Sequence, residues 1–133
     1  MVTESTGTEV VMTEKAAKPI GPYSQAIKAR GFVFVAGEKG IDPRTNKMVP
    51  GGIVAETRQT LENIKVILEA ASSSLDLAVS STVYLVNIAE FAAMNTVYAE
   101  YFKTNPPGRT TVAVSALPAG ATVEITVTAL SKS

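Results

Sequence analysis

The chain has 133 residues, 46% of them hydrophobic, and its 12 basic side chains balance its 12 acidic ones. That length suits one compact unit with a real core, and zero net charge gives no electrostatic pull toward nucleic acid or an anionic membrane. With neither Cys nor His, the chain lacks a thiolate nucleophile, the usual general base and the commonest metal ligands, and no Asp/Glu spacing suggests a carboxylate-only metal site.

Catalysis, if any, must use Arg, Glu, Asp, Tyr, Lys, Ser, Thr, backbone groups and water. No run is long and apolar enough to span a membrane. Residues 1–9 lack the basic-then-apolar order of a secretory signal, and Glu4, Glu9 and Glu14 argue against an acid-poor transit peptide. A cytoplasmic protein is expected, with a mitochondrial address left open. The chain reads as one domain over residues 1–133, with 1–13 as an N-terminal extension.

Residues 8–13 lean toward a strand, and 25–28 could form another. The FVFVA run at 32–36 is a strand closed by Gly37. At 42–46, DPRTN is turn chemistry, in which Pro fixes φ and Asp and Asn bond locally. Gly51 and Gly52 then release the chain into a helix. Its Thr57, Leu61, Ile64, Leu68, Ala71 and Leu75 recur at alternating spacings of four and three, one amphipathic stripe with Glu62, Lys65 and Glu69 turned outward. Ser72, Ser73 and Ser74 end it.

Residues 79–86 form the next strand. Asn87 stands three residues before Glu90, a capping-box-like start for a second helix, whose Phe91, Met94, Tyr98 and Phe102 share a stripe. Two further strands follow, at 109–115 and 122–130. A strand between two helices requires crossover connections and some parallel pairing. The expected fold is α+β, a mixed sheet with both helices on one face.

The last two strands are expected to form a hairpin. A four-residue loop at 117–120 keeps both valine rows on one face and puts Arg109 and Glu124 together on the other, Glu124 opposite Ala113; a slip of one residue would flip every side chain. Arg109 follows Pro106, Pro107 and Gly108 and opens its strand. Held by that rigid turn, its planar fork of donors could clamp a carboxylate; the plainer alternative is an Arg that solvates a strand end. The Thr-rich face carrying Glu124 is either partly wet or covered by another subunit.

Further motifs run through the chain in order: IGPYSQA at 20–26, VAG at 35–37, Gly51-Gly52, QTLENIK at 59–65, LEAA at 68–71, SLD at 74–76, Phe91, Asn95, Tyr98, Tyr101-Phe102, PGR at 107–109, Leu117-Pro118 and VEI at 123–125. From about residue 14 onward the chain resembles the RidA/YjgF/YER057c/UK114 family. The resemblance implies a chorismate-mutase-like, YjgF-type fold and a homotrimer with clefts between subunits. It implies hydrolysis of 2-iminobutanoate and 2-iminopropanoate, formed by pyridoxal-phosphate-dependent dehydratases, to 2-oxo acids and ammonia, with no cofactor and no metal. Arg109 matches the family arginine that binds the substrate carboxylate, and Glu124 the acid that orients or activates water. Tyr23, Gly37, Asn95 and Thr111 match substrate-binding positions. Three of these have a plainer alternative: interface packing for Tyr23, helix-face packing for Asn95, a structural acid for Glu124.

Three departures stand out. Ala36-Gly37-Glu38 replaces the family's common Ser-Gly-Gln, Lys39-Gly40 replaces an apolar residue and Pro, and Thr111 stands where many deaminase-type members carry Cys. Alternation along a strand predicts one of Glu38 and Lys39 pointing inward, paired or wet, and the other outward. Two rival functions remain: an endoribonuclease or translation inhibitor, disfavoured by the neutral charge and lack of a basic patch, and a non-catalytic trimer that binds small carboxylates or acts as a holdase.

Overall fold

A computed structural model describes residues 7–132; the first six residues of the N-terminal extension lie outside them. The elements are β1 Thr8–Val11, β2 Ala26–Ala29, β3 Phe32–Val35, β4 Ile41–Asp42, β5 Lys47–Met48, α1 Gly52–Ala70, β6 Ala78–Leu85, α2 Phe91–Tyr101, β7 Gly108–Ala113 and β8 Val123–Leu130. Six strands form one mixed sheet in the order β1-β2-β3-β8-β6-β7. The small β4/β5 hairpin brackets the 42–46 turn, where the Asp42 carboxylate accepts the Arg44 amide at 2.8 Å.

The helix α1 starts after Gly51, whose φ of 116° suits only glycine. Its stripe lands as expected: Thr57, Leu61, Ile64 and Leu68 are buried, while Glu62, Lys65 and Glu69 are exposed. Leu75 falls past the helix end, in a short 3-10 turn. Ser73 ties that end to the sheet by donating to the Leu130 carbonyl at 2.6 Å. At α2 the capping box does not form. Asn87 instead caps a 3-10 turn, its side chain accepting from the Ala89 amide at 3.0 Å, and α2 begins at Phe91 without a side-chain cap.

Both helices pack on one sheet face. Leu61, Ile64 and Leu68 of α1 and Met94 and Tyr98 of α2 join Val33, Val35, Val83, Leu85, Val123, Ile125 and Val127 in one core. Burying each large aliphatic side chain contributes roughly 1.5–3 kcal/mol relative to leaving it exposed.

The expected terminal hairpin is wrong. β6 lies between the last two strands, antiparallel to β8 and parallel to β7. The parallel β6/β7 pair is the crossover through α2 that a strand between two helices requires. Period-two alternation fixes which face a side chain takes, not which strand lies next to it. Ser81, Val83 and Leu85 of β6 are all buried, so this strand fills the central slot that the hairpin reading gave to direct pairing.

The correction separates two residues that the hairpin had put together. Arg109 pairs with Ser81, which pairs with Val127, whereas Glu124 pairs with Tyr84, which pairs with Val112. Ser81 and Tyr84 are three apart on one strand, so their rows point to opposite faces. Arg109 therefore faces the helices, and Glu124 faces away from them. The second face is open: it carries Thr82, Thr110, Thr126 and Thr128 together with the exposed Phe32, Phe34 and Val112.

Candidate functional site

The structure gathers the candidate residues into two groups. The first surrounds Arg109, half-buried at the sheet edge beneath α2. Its guanidinium carbon lies 4.7 Å from the Tyr98 ring centre and 5.5 Å from that of Phe91. These aromatics, seven residues apart on one helix face, form a platform that favours a cation. The Tyr98 hydroxyl is fixed by Ser81 at 2.7 Å. Burial pushes the Tyr98 phenol up, with the Ser81 hydrogen bond and the Arg109 charge opposing.

No carboxylate neutralises Arg109 among the described residues. Thr111, two residues along β7, shares its face, and Asn95 lies one turn beyond Phe91 on α2. The Thr111 Oγ1 and the Asn95 Oδ1 are both buried without a hydrogen-bond partner. A buried polar atom left unpaired costs about 1–3 kcal/mol. A cation without a counter-ion and an unpaired hydroxyl suit a small anion, and the unpaired Asn95 amide oxygen, which accepts, suits an N–H donor on the same ligand. The helical aromatics were legible in the sequence as one stripe of a helix, but not as the platform for the arginine.

The second group surrounds Glu124 on the open face. Its carboxylate lies over Gly37, where an added Cβ would overlap it. Glycine at 37 thus lets the Glu124 carboxylate take this position, and a side chain there would displace it. Past it, Glu38 exchanges both backbone hydrogen bonds with Ile125, at 2.8 and 3.0 Å. Tyr23 is partly exposed, and its hydroxyl accepts from the Ile20 amide at 3.0 Å, leaving its proton free to donate. Tyr23 also lines a small cavity, about 10 Å³, with Glu38, Lys39 and Lys18.

The expectation that one of Glu38 and Lys39 points outward does not hold, since both are buried, at 5% and 7% exposure. Continuing the β3/β8 register would set Gly37 opposite Ile125, but Glu38 takes that position. The one-residue shift breaks the strand alternation on which the expectation rested. Larger concavities, about 400 and 440 Å³, lie along α1 and include neither Arg109 nor Glu124. Arg109 and Glu124 lie on opposite faces of the sheet and line neither of these.

A profile of the family described as endoribonuclease L-PSP matches residues 13–131. The chain belongs to this family. It is the RidA/YjgF family that the sequence motifs resemble, and several relatives carry more specific names. A RutC family protein of Pyrococcus horikoshii is 56% identical over 117 residues, covering 88% of this chain and 93% of the relative. A 2-iminobutanoate/2-iminopropanoate deaminase of Capra hircus is 43% identical, over 87% of this chain and 85% of the relative. Among solved structures, E. coli TdcF with bound serine superposes with a TM-score of 0.88 at 31% identity, covering 92% of this chain and 98% of that one. The L-PSP fold, a mixed sheet with two helices, is thus shared by this chain. Among the described residues no helix is long and apolar enough to cross a membrane.

Proposed function

We propose that this RidA/L-PSP family member hydrolyses 2-iminobutanoate and 2-iminopropanoate to 2-oxo acids and ammonia, in clefts between the subunits of a homotrimer. The observation that carries the reading is the division of the candidate residues: an arginine without a counter-ion on one sheet face, and a carboxylate over a glycine on the other. A site that uses both needs a second copy. The open face, with its exposed Phe32 and Phe34, offers the surface for one. The identity to the goat deaminase supports the activity. The serine bound in the related E. coli protein supports a small carboxylate-bearing ligand.

In this reading Arg109 of one subunit takes the substrate carboxylate through two parallel hydrogen bonds. The unpaired Thr111 hydroxyl can donate to the same carboxylate and the unpaired Asn95 Oδ1 can accept from the imine N–H, and the imine carbon is thereby positioned. Glu124 of a neighbouring subunit holds a water above Gly37. The water oxygen bonds the imine carbon as its proton passes to Glu124. The C=N π pair moves onto nitrogen, which takes a proton from solvent. In the resulting carbinolamine the C–N bond breaks with its electron pair on nitrogen. Glu124 returns its proton to that nitrogen, and the hydroxyl proton goes to solvent, leaving the 2-oxo acid and ammonia. Tyr23 packs on the small substrate and can donate one hydrogen bond.

The rival reading, cleavage of RNA, has the family description behind it, but zero net charge gives little phosphate affinity. A coupled assay separates the two. Threonine dehydratase is run with and without this protein, and 2-oxobutanoate is followed in the first seconds. Faster early formation is expected, with no RNA cleavage by the same preparation. An unchanged early rate would remove the deaminase reading.

A further inference from the structure

Two consecutive charged residues, Glu38 and Lys39, are buried beside the acid half of the proposed site and are used by none of the chemistry above. Glu38 is 5% exposed and Lys39 7%. The Lys39 ammonium turns back along its own chain and donates to the Gly37 carbonyl at 3.3 Å. Gly37 is the residue over which the Glu124 carboxylate lies. The Lys39 backbone is itself anchored, since the Asn63 amide donates to the Lys39 and Ile41 carbonyls at 3.2 and 2.9 Å. Glu38 is fixed by its two backbone hydrogen bonds to Ile125, the residue after Glu124. Its carboxylate has no hydrogen bond and no contact ion pair among the described residues. The pair also borders, with Tyr23, the small cavity at this end of the sheet.

Such an arrangement is costly unless it does something, because burying charge without a tight partner is unfavourable. We infer that Glu38 and Lys39 together set the charge behind Glu124: the Lys39 ammonium, held at the carbonyl of the glycine over which the Glu124 carboxylate lies, favours an anionic substrate, and the Glu38 carboxylate buried beside it offsets that charge. The inference rests on the functional reading above and adds two positioning residues to it. Neither needs to touch the substrate.

The charged and titratable groups around Glu38 agree with this assignment. Its own segment supplies Lys39 and β8 supplies Glu124, while Lys18 and Tyr23 border the cavity. The helix α1 packs Glu56 against Gly40, but the Glu56 carboxylate is engaged by the Thr122 amide at 2.8 Å. Burial raises the Glu38 carboxyl to about 8; Lys39 opposes the rise and Glu124 adds to it. Glu38 is therefore mostly neutral below that pH and ionised above it. The local charge becomes more negative as pH rises through this range, so an anionic ligand is held less well on the alkaline side.

The test uses 2-oxobutanoate, a stable anion of the proposed product class, and isothermal titration calorimetry from pH 6.5 to 9.5. The proteins are wild type, Glu38→Gln and Lys39→Met, each checked for unchanged circular dichroism. Wild-type affinity should fall by roughly tenfold across the range, as expected for one added charge at partly screened distance. Glu38→Gln should stay at the tight, low-pH affinity throughout. Lys39→Met should bind weakly even at pH 6.5. The same pH dependence in wild type and Glu38→Gln would overturn the inference and leave the deaminase reading standing. Absence of 2-oxobutanoate binding to wild type at every pH would overturn both. The ¹³C carboxyl signal of Glu38 gives a check that needs no ligand: a midpoint near 8 is expected, and an ordinary carboxyl value near 4 would overturn the inference.

Discussion

Arg109→Lys should lose most imine hydrolysis although it keeps the charge. Lysine presents a point cation, whereas guanidinium offers two parallel donors to a carboxylate and lies flat on aromatic rings. Here the guanidinium carbon lies 4.7 Å from the Tyr98 ring centre and faces no carboxylate among the described residues, so in the proposed reading its donors are open to the substrate. Loss of one charge-assisted hydrogen bond costs roughly 1.5–3 kcal/mol, about ten- to a hundredfold in kcat/KM. Steady-state rates on dehydratase-generated imine, with thermal unfolding as a control for folding, measure the effect. Near wild-type turnover would mean that Arg109 does not position the substrate.

Glu124→Gln should do more damage to turnover and less to binding. The amide keeps the size of the side chain over Gly37 but cannot accept the proton of water. If Glu124 is the base, kcat should fall by roughly 10²–10⁴. Binding of 2-oxobutanoate should not weaken, since Arg109 and its aromatic platform are intact and one negative charge near the anion is removed. Full turnover by the Gln variant would make Glu124 a structural acid and move water activation to backbone carbonyls or to the substrate nitrogen.

Much of the fold was legible from periodicity. The α1 stripe from Thr57 to Leu68 and the FVFV strand declare their faces through spacing alone, because helices repeat near 3.6 and strands at 2. That some pairing must be parallel followed from chain order, since a strand between two helices cannot be joined to the next one by a tight turn, but that it falls between β6 and β7 did not. Strand neighbours were less legible. Nothing local in residues 109–130 reports that β6 inserts between β7 and β8, and the hairpin error carried Arg109 to the wrong face.

The candidate site was legible as a list of residues but not as an arrangement. Its candidates came from motif resemblance and the unusual acid among threonines. The stacking of Arg109 on Phe91 and Tyr98, and the burial of both Glu38 and Lys39, depend on α2 crossing over β7 and on a one-residue shift after Val35. Neither leaves a local signature in the chain. The hairpin reading implied one face bearing both key residues; the observed sheet places them on opposite faces, which strengthens the case for a site shared between copies.

The most direct test of that case is subunit complementation. Arg109→Ala and Glu124→Ala chains should each be nearly inactive alone. Co-refolded in equal amounts, they should form some clefts in which one chain supplies an intact Arg109 and its neighbour an intact Glu124. Random assembly into closed rings puts about a quarter of all clefts in that state, so the mixture should recover about a quarter of wild-type deaminase activity. A mixture no more active than its parents, despite demonstrated exchange of subunits, would contradict a site built from two copies.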